Sequence, residues 1–262
     1  MRVTRLFQVT MAVTIVCIGL FGCDSDETAG PERNPEPDDE FISQMEDLEA
    51  ETAALWLSGA LSAPDSLCLI LKADLHAIRA EFRDEYPFVD SLWFQPPWRP
   101  GAITIGFRES VCWEIEEGSY HEWDELNVTF GLAETRIFSW PWEGCTVVLR
   151  FETMLHPGRL SDFYRPLRGV SYVSPGGAVG DWQNVYPWEA QGIRTYLFRK
   201  AWGDCPCGCI YNEYVYFRAM PSGPDLVGYH AGGQPPEWWE EARVGMDAYW
   251  DEAYGIKGKP GT

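Results

Sequence analysis

The densest group of reactive side chains is Cys205, Cys207 and Cys209, three thiols spaced one residue apart within residues 195–218. Three thiolates, with Asp204 or His230 as a fourth ligand, would make a tetrahedral zinc site. Structural zinc sites, however, combine two closely spaced ligands with a second, distant pair, and that second pair is missing. The C-x-x-C spacing of a redox dithiol is missing too. Disulfides are the simpler reading, Cys205 with Cys209 across the tip and Cys207 with Cys68. Neither a metal nor a cofactor is expected.

Carboxylates come next. Glu114, Glu116 and Glu117, then Glu122, Asp124 and Glu125 beside His121, crowd a short stretch. Two carboxylates flanking a sugar are the machinery of glycosidases, so a hydrolase of cell-envelope glycans is the alternative function. With 40 acidic residues against 20 basic and a formal charge of −20, such clusters read first as solvated faces. The same excess repels phosphate backbones. Arg159, Arg165 and Arg168 form no basic patch, only the wet side of a helix, so nucleic-acid binding is excluded. No G-x-S-x-G elbow accompanies His76, His121, His156 and His230. A non-enzymatic binding protein is therefore the leading expectation. Its candidate surface is aromatic: Trp93, Phe94 and Trp98 in one proline-rich connection, and Trp182, Tyr186 and Trp188 in another. Exposed together they would form a platform for a glycan or a protein; buried, they would cover sheet edges.

The chain ahead of these residues reads as an export leader. Arg2 and Arg5 precede an apolar run at 9–21, shorter than the roughly 20 residues of a membrane span. Leu20-Phe21-Gly22-Cys23 resembles the lipobox of bacterial lipoproteins. The resemblance implies residues 1–22 as a signal peptide, lipid on Cys23, and a membrane-anchored protein in the bacterial cell envelope; cleavage by an ordinary signal peptidase is the alternative. Residues 23–39, rich in Asp, Glu and Pro, read as a disordered tether. Past Cys17 and Cys23, the six cysteines 68, 112, 145, 205, 207 and 209 suit three disulfides in an oxidising compartment.

Residues 40–254 should form a single globular α+β domain, with 255–262 a loose tail. Phe41, Met45, Leu48, Thr52 and Leu55 are spaced for one face of a helix, and Leu67, Leu71, Leu75, Ile78 and Phe82 for the next. From residue 102 a β-α-β-β-α-β order follows. Its strands hold Ile103, Ile105 and Phe107, then residues 135–140, then Cys145, Val147, Leu149 and Phe151, then residues 170–173. Helices at 120–131 and 157–168 separate them. The flanks of 195–218 predict a hairpin, residues 221–236 a loop, and residues 237–254 a last helix.

Leu167-Arg168-Gly169-Val170 and Tyr172-Val173-Ser174-Pro175-Gly176, in this element order, resemble the subtilisin-type propeptide or peptidase-inhibitor family. The likeness covers about 103–177. It implies a ferredoxin-like sheet to which the helices and a disulfide-stapled hairpin are added. It also implies a Cys112–Cys145 bridge, because the first strand would run antiparallel to the third. It further implies a stand-alone partner or inhibitor of a subtilisin-like protease, with Tyr172, Val173, Ser174 and Pro175 as the inhibitory strand. The wider span 55–218, with Gly203-Asp204-Cys205-Pro206 and Gly208-Cys209-Ile210, looks like secreted bacterial proteins of unknown function.

Overall fold

Apolar residues at helical spacing shape the start of the described chain. The computed structural model describes residues 39–140, 144–176, 181–203 and 208–254. Helix α1 (Asp39–Ser58) ends where Gly59 takes a φ of 55° and its N–H meets the Leu55 carbonyl at 3.0 Å. Pro64 precedes α2 (Asp65–Phe82), which carries Asp65 at its positive end. Leu71, Leu75 and Ile78 are buried, as their stripe requires. Pro87 opens a one-turn helix, α3 (Phe88–Ser91), where the sequence suggests only a stop.

The first sheet contains β1 (Ala102–Phe107), β2 (Leu132–Trp140), β3 (Gly144–Phe151) and β4 (Val170–Pro175). Its order is β2-β3-β1-β4, with all neighbours antiparallel. Helices α4 (Glu109–Glu116) and α5 (Asp124–Thr129) separate β1 from β2, and α6 (Pro157–Tyr164) separates β3 from β4. Strand alternation puts Ile103, Ile105 and Phe107 in register with Leu149, Val147 and Cys145. They share a core with Val111, Ile115, Leu160 and Tyr164. The opposite face carries Thr104, Gly106, Val148, Arg150 and Tyr172. Tyr172 lies across Gly106 so closely that any β-carbon there would collide with its ring.

Residues 109–116, for which no helix is expected from the sequence, are helical. Their buried positions Val111, Cys112 and Ile115 outweigh the acid content. That helix carries Cys112 to Cys145, with the α-carbons 5.6 Å apart across a disulfide of sequence separation 33.

The second sheet is a larger departure. Residues 195–218 are not an added hairpin but the two middle strands of a four-stranded antiparallel sheet. Strands β5 (Asn184–Ala190), β6 (Ile193–Trp202), β7 (Tyr211–Met220) and β8 (Gly223–His230) pair in chain order. The connection expected before the hairpin is β5, and much of the loop expected after it is β8. Pro187 is tolerated because β5 is an edge strand, where a missing N–H leaves no neighbour unpaired. Tyr196 and Phe217 turn toward α2, whose Phe82 ring centroid is 5.0 Å from that of Phe217. Tyr186 and Tyr216 turn the other way, against Tyr249 of α7 (Trp239–Tyr254) and Trp238 just before it. Helices α1 and α2 thus belong to the core of this second sheet.

The cysteines need one further correction. Cys68 is a free thiol and does not pair with Cys207. Cys209 is disulfide-bonded; Cys205 and Cys207, proposed as bridge partners, lie outside the described residues. Non-reducing peptide mapping should recover Cys112 linked to Cys145 and Cys68 alkylated without reduction. Replacing Cys112 and Cys145 together by serine should lower unfolding free energy by roughly 3–4 kcal/mol, the loop-closure entropy of a bridge this wide. Recovery of Cys68 in a disulfide would overturn the assignment.

Candidate functional site

Three buried polar side chains hold the backbone that follows α3. Arg79 of α2 donates through Nη2 to the Leu92 carbonyl at 2.6 Å and through Nε to the Val89 carbonyl at 3.4 Å. Glu49 of α1 accepts from Arg79 at 2.7 and 3.0 Å and from the Phe94 N–H at 2.7 Å. Asn184 of β5 meets both backbone groups of Gln95, accepting from its N–H and donating to its carbonyl at 2.8 Å each. Arg79, Glu49 and Asn184 are all buried. The Arg79 guanidinium also lies 4.4 Å from the Trp93 ring centroid.

Pinned this way, residues 93–100 form one wall of a groove of about 540 Å³. Trp93, Phe94, Pro96 and Trp98 line it with Met45, Leu48 and Thr52 of α1 and with Met154. The α1 stripe is therefore divided. Thr52 and Leu55 are buried, while Leu48, a turn earlier, is 48 % exposed beside the groove. Trp98 is 4 % exposed, and its indole N–H has no acceptor among the described residues. Its ring touches His156, at 4.7 Å between centroids, and Trp56 at 6.4 Å.

Arg99 stands at the groove's rim. Its guanidinium makes no ion pair or hydrogen bond among the described residues. Burial lowers its pKa first, and the fields of Arg150 and Arg136 add to the effect, opposed by Glu134. Arg136 and Arg150 both bond Glu134, at 2.5 and 3.0 Å. Arg99 thus feels the field of a carboxylate that two other guanidiniums already bond.

A second, more polar cleft of about 420 Å³ lies among Trp56, His156, Arg159, Asp162 and Glu252. His156 is occupied there as the cap of α6, its Nδ1 accepting from the Gly158 N–H at 3.2 Å. Burial, and then Arg159, push its pKa down, which favours the neutral ring that this cap requires.

The aromatic residues singled out from sequence do not make a joint exposed platform. Phe94, Trp98 and Tyr186 are buried, Trp93 and Trp188 half-buried, and Trp182 exposed. Tyr186 contributes to the core of the second sheet, whereas Trp93, Phe94 and Trp98 wall the groove. Three of the six clustered acids sit in contacts with cationic or imidazole side chains. Arg168 bonds Glu114 at 2.5 Å and Glu122 at 3.2 Å, and His121 meets Asp124 at 2.8 Å. Tyr172, Val173, Ser174 and Pro175 lie in edge strand β4. The next residue, Gly176, is tied to Arg99 and Ala102 by backbone bonds of 2.5 and 3.2 Å. His230, considered as a zinc ligand, sits among Tyr214, Trp238 and Trp239. Among the described residues no group of three or more His, Cys, Asp or Glu could hold a metal ion. Cys23 and the cysteines at 205 and 207 fall outside the described residues.

Sequence reasoning missed Glu49, Arg79 and Arg99. A signal existed for two of them: Arg79 follows Leu71 and Leu75 at four-residue steps, and Glu49 follows Met45 by four. A charge at core spacing requires a buried partner.

Comparison with known proteins finds no match: no protein-family model fits the chain, and no curated protein or solved structure is significantly similar to it.

Removing one partner of the Glu49–Arg79 pair strands the other charge in the core. Glu49→Leu or Arg79→Met alone should cost about 3–5 kcal/mol of stability, and the double variant less than the sum of the two. Urea unfolding of the four proteins measures this. Additive losses would show that the pair is not coupled.

Proposed function

We propose that the protein is a non-enzymatic binding protein of the bacterial cell envelope, anchored through lipid on Cys23, with the groove along α1 as its binding site. The observation that carries this reading is the groove itself. Apolar side chains of α1 face water there beside a wall of aromatics, and the Arg99 guanidinium, which lines it, makes no hydrogen bond or ion pair among the described residues. Open apolar concavities with a few unmet polar groups are the usual form of a ligand site. Among the described residues no helix is long and apolar enough to cross a membrane, so membrane attachment would rest on the lipid.

We read β1 to β4 with their helices as a ferredoxin-like unit. The order β2-β3-β1-β4, antiparallel throughout, supports this. A propeptide-like inhibitor would present the end of β4 to a protease cleft. The bonds from Gly176 to Arg99 and Ala102 hold that end against its own sheet, which favours the groove as the binding site.

Phenylnaphthylamine, a neutral apolar dye, should brighten on binding the groove. Leu48→Asp alters a half-exposed side chain, so it should keep the fold and weaken dye binding by about tenfold, the loss of one buried aliphatic contact. Absence of dye binding by the wild-type chain, or full binding by the variant, counts against the groove. The anchor is checked separately: labelled palmitate should enter the wild-type protein in bacterial cells and not Cys23→Ser. Equal labelling of the two would remove Cys23 from the reading.

A further inference from the structure

We propose that the groove binds a long-chain monocarboxylate, its chain against Met45, Leu48, Trp93 and Met154 and its carboxylate at Arg99. This rests on the groove being a binding site and adds the class of ligand.

The first ground is shape and surface. The lining is apolar along α1 and the Trp93–Trp98 wall, and the cationic residue Arg99 stands at its rim. An amphiphile with one charged end matches that division. Met45 and Met154 have flexible, polarizable thioethers that adapt to an unbranched chain.

The second ground is charge. A chain of net charge −20 repels anions overall, so an anion settles only where the local balance is reversed. Around Arg99 it is reversed. Arg136 and Arg150 already share Glu134, and Arg99 has no carboxylate of its own among the described residues. A ligand carboxylate would relieve the repulsion among the three and offer Arg99 the two parallel bonds that a guanidinium fits best.

The third ground is hydrogen-bond sign. The Arg99 guanidinium at the groove, which makes no hydrogen bond among the described residues, is a donor. The carboxylate of Glu49, which could have served a ligand donor, is consumed by Arg79 and the Phe94 N–H. A peptide segment presents N–H groups as well as carbonyls, whereas a carboxylate head presents acceptors alone.

The test is displacement of phenylnaphthylamine from the purified chain by dodecanoate and by dodecanol, which share a tail and differ in the head. Dodecanoate should bind about tenfold more tightly, the worth of one charge-assisted contact. Raised salt should narrow that margin. Arg99→Gln, with an unchanged unfolding midpoint, should abolish the margin and leave dodecanol as in the wild type, and Leu48→Asp should weaken both. Equal binding of acid and alcohol by the wild type overturns the carboxylate and leaves the groove reading standing. Displacement by an apolar peptide but not by dodecanoate overturns the ligand class. Failure of the dye and both amphiphiles overturns the groove reading as well.

Discussion

The buried pair of Glu49 and Arg79 is the constraint on which the arrangement around the groove depends. Both side chains are almost wholly removed from water, so each needs the other and each needs its remaining hydrogen-bonding capacity filled. They fill it with the backbone of residues 89–94. A segment rich in Trp, Phe and Pro has little regular secondary structure to fix it. Here charge-assisted bonds to α1 and α2 do that work, and Asn184 extends the hold to β5. Apolar residues in place of the pair would pack as well but would not specify which carbonyl and which N–H are held. The pair also sits where α1 changes character. Beyond Glu49 the helix is core, and before it the same stripe is open to the groove.

The groove lies where the chain leaves one core for the other. The Arg99 N–H binds the Gly176 carbonyl, and the Gly101 N–H binds the Leu155 carbonyl at 2.8 Å. Gly101 has a φ of 62°, and a β-carbon there would come within 2.5 Å of the Thr153 carbonyl, so only glycine makes this passage without strain. Nearby, Ser62 bridges Leu155, and the His156 N–H reaches the Leu61 carbonyl at 2.9 Å. A wall built from such a crossing is fixed at both ends, at Glu49 on one side and at Gly101 on the other. That stiffness lets aromatic side chains border open space without collapsing into it.

How far the sequence discloses this depends on how local each signal is. The stripes of α1 and α2 and the alternation of β1 and β3 are local, and they were legible. Strand β5 was not, because Pro187 breaks the local pattern and is permitted only by its place at an edge. Strand β8 was hidden by Gly223, Pro224 and Gly228; at Gly228 the missing side chain makes room for the Trp238 indole, which no short window shows. The aromatic residues at 93, 94 and 98 were legible as unusual. Whether they faced water was not, since that was decided by Glu49, Arg79 and Asn184, which reach this segment from elements outside it.

In a chain with twice as many acids as bases, cations are the scarce resource, and most of their placements have a structural reason. Arg194 ties β6 to Asp74 of α2, and Arg218 ties β7 to Glu241 of α7. Arg168 gathers Glu114 and Glu122, and Arg199 joins Asp181 to Asn212 across the second sheet. Each spends its charge on joining one element to another. Arg99 does the opposite: it feels the fields of two other guanidiniums and, among the described residues, its side chain makes no hydrogen bond or ion pair. Arg150 and Arg136 repel its charge, and the carboxylate that attracts it, Glu134, is already bonded by both of them.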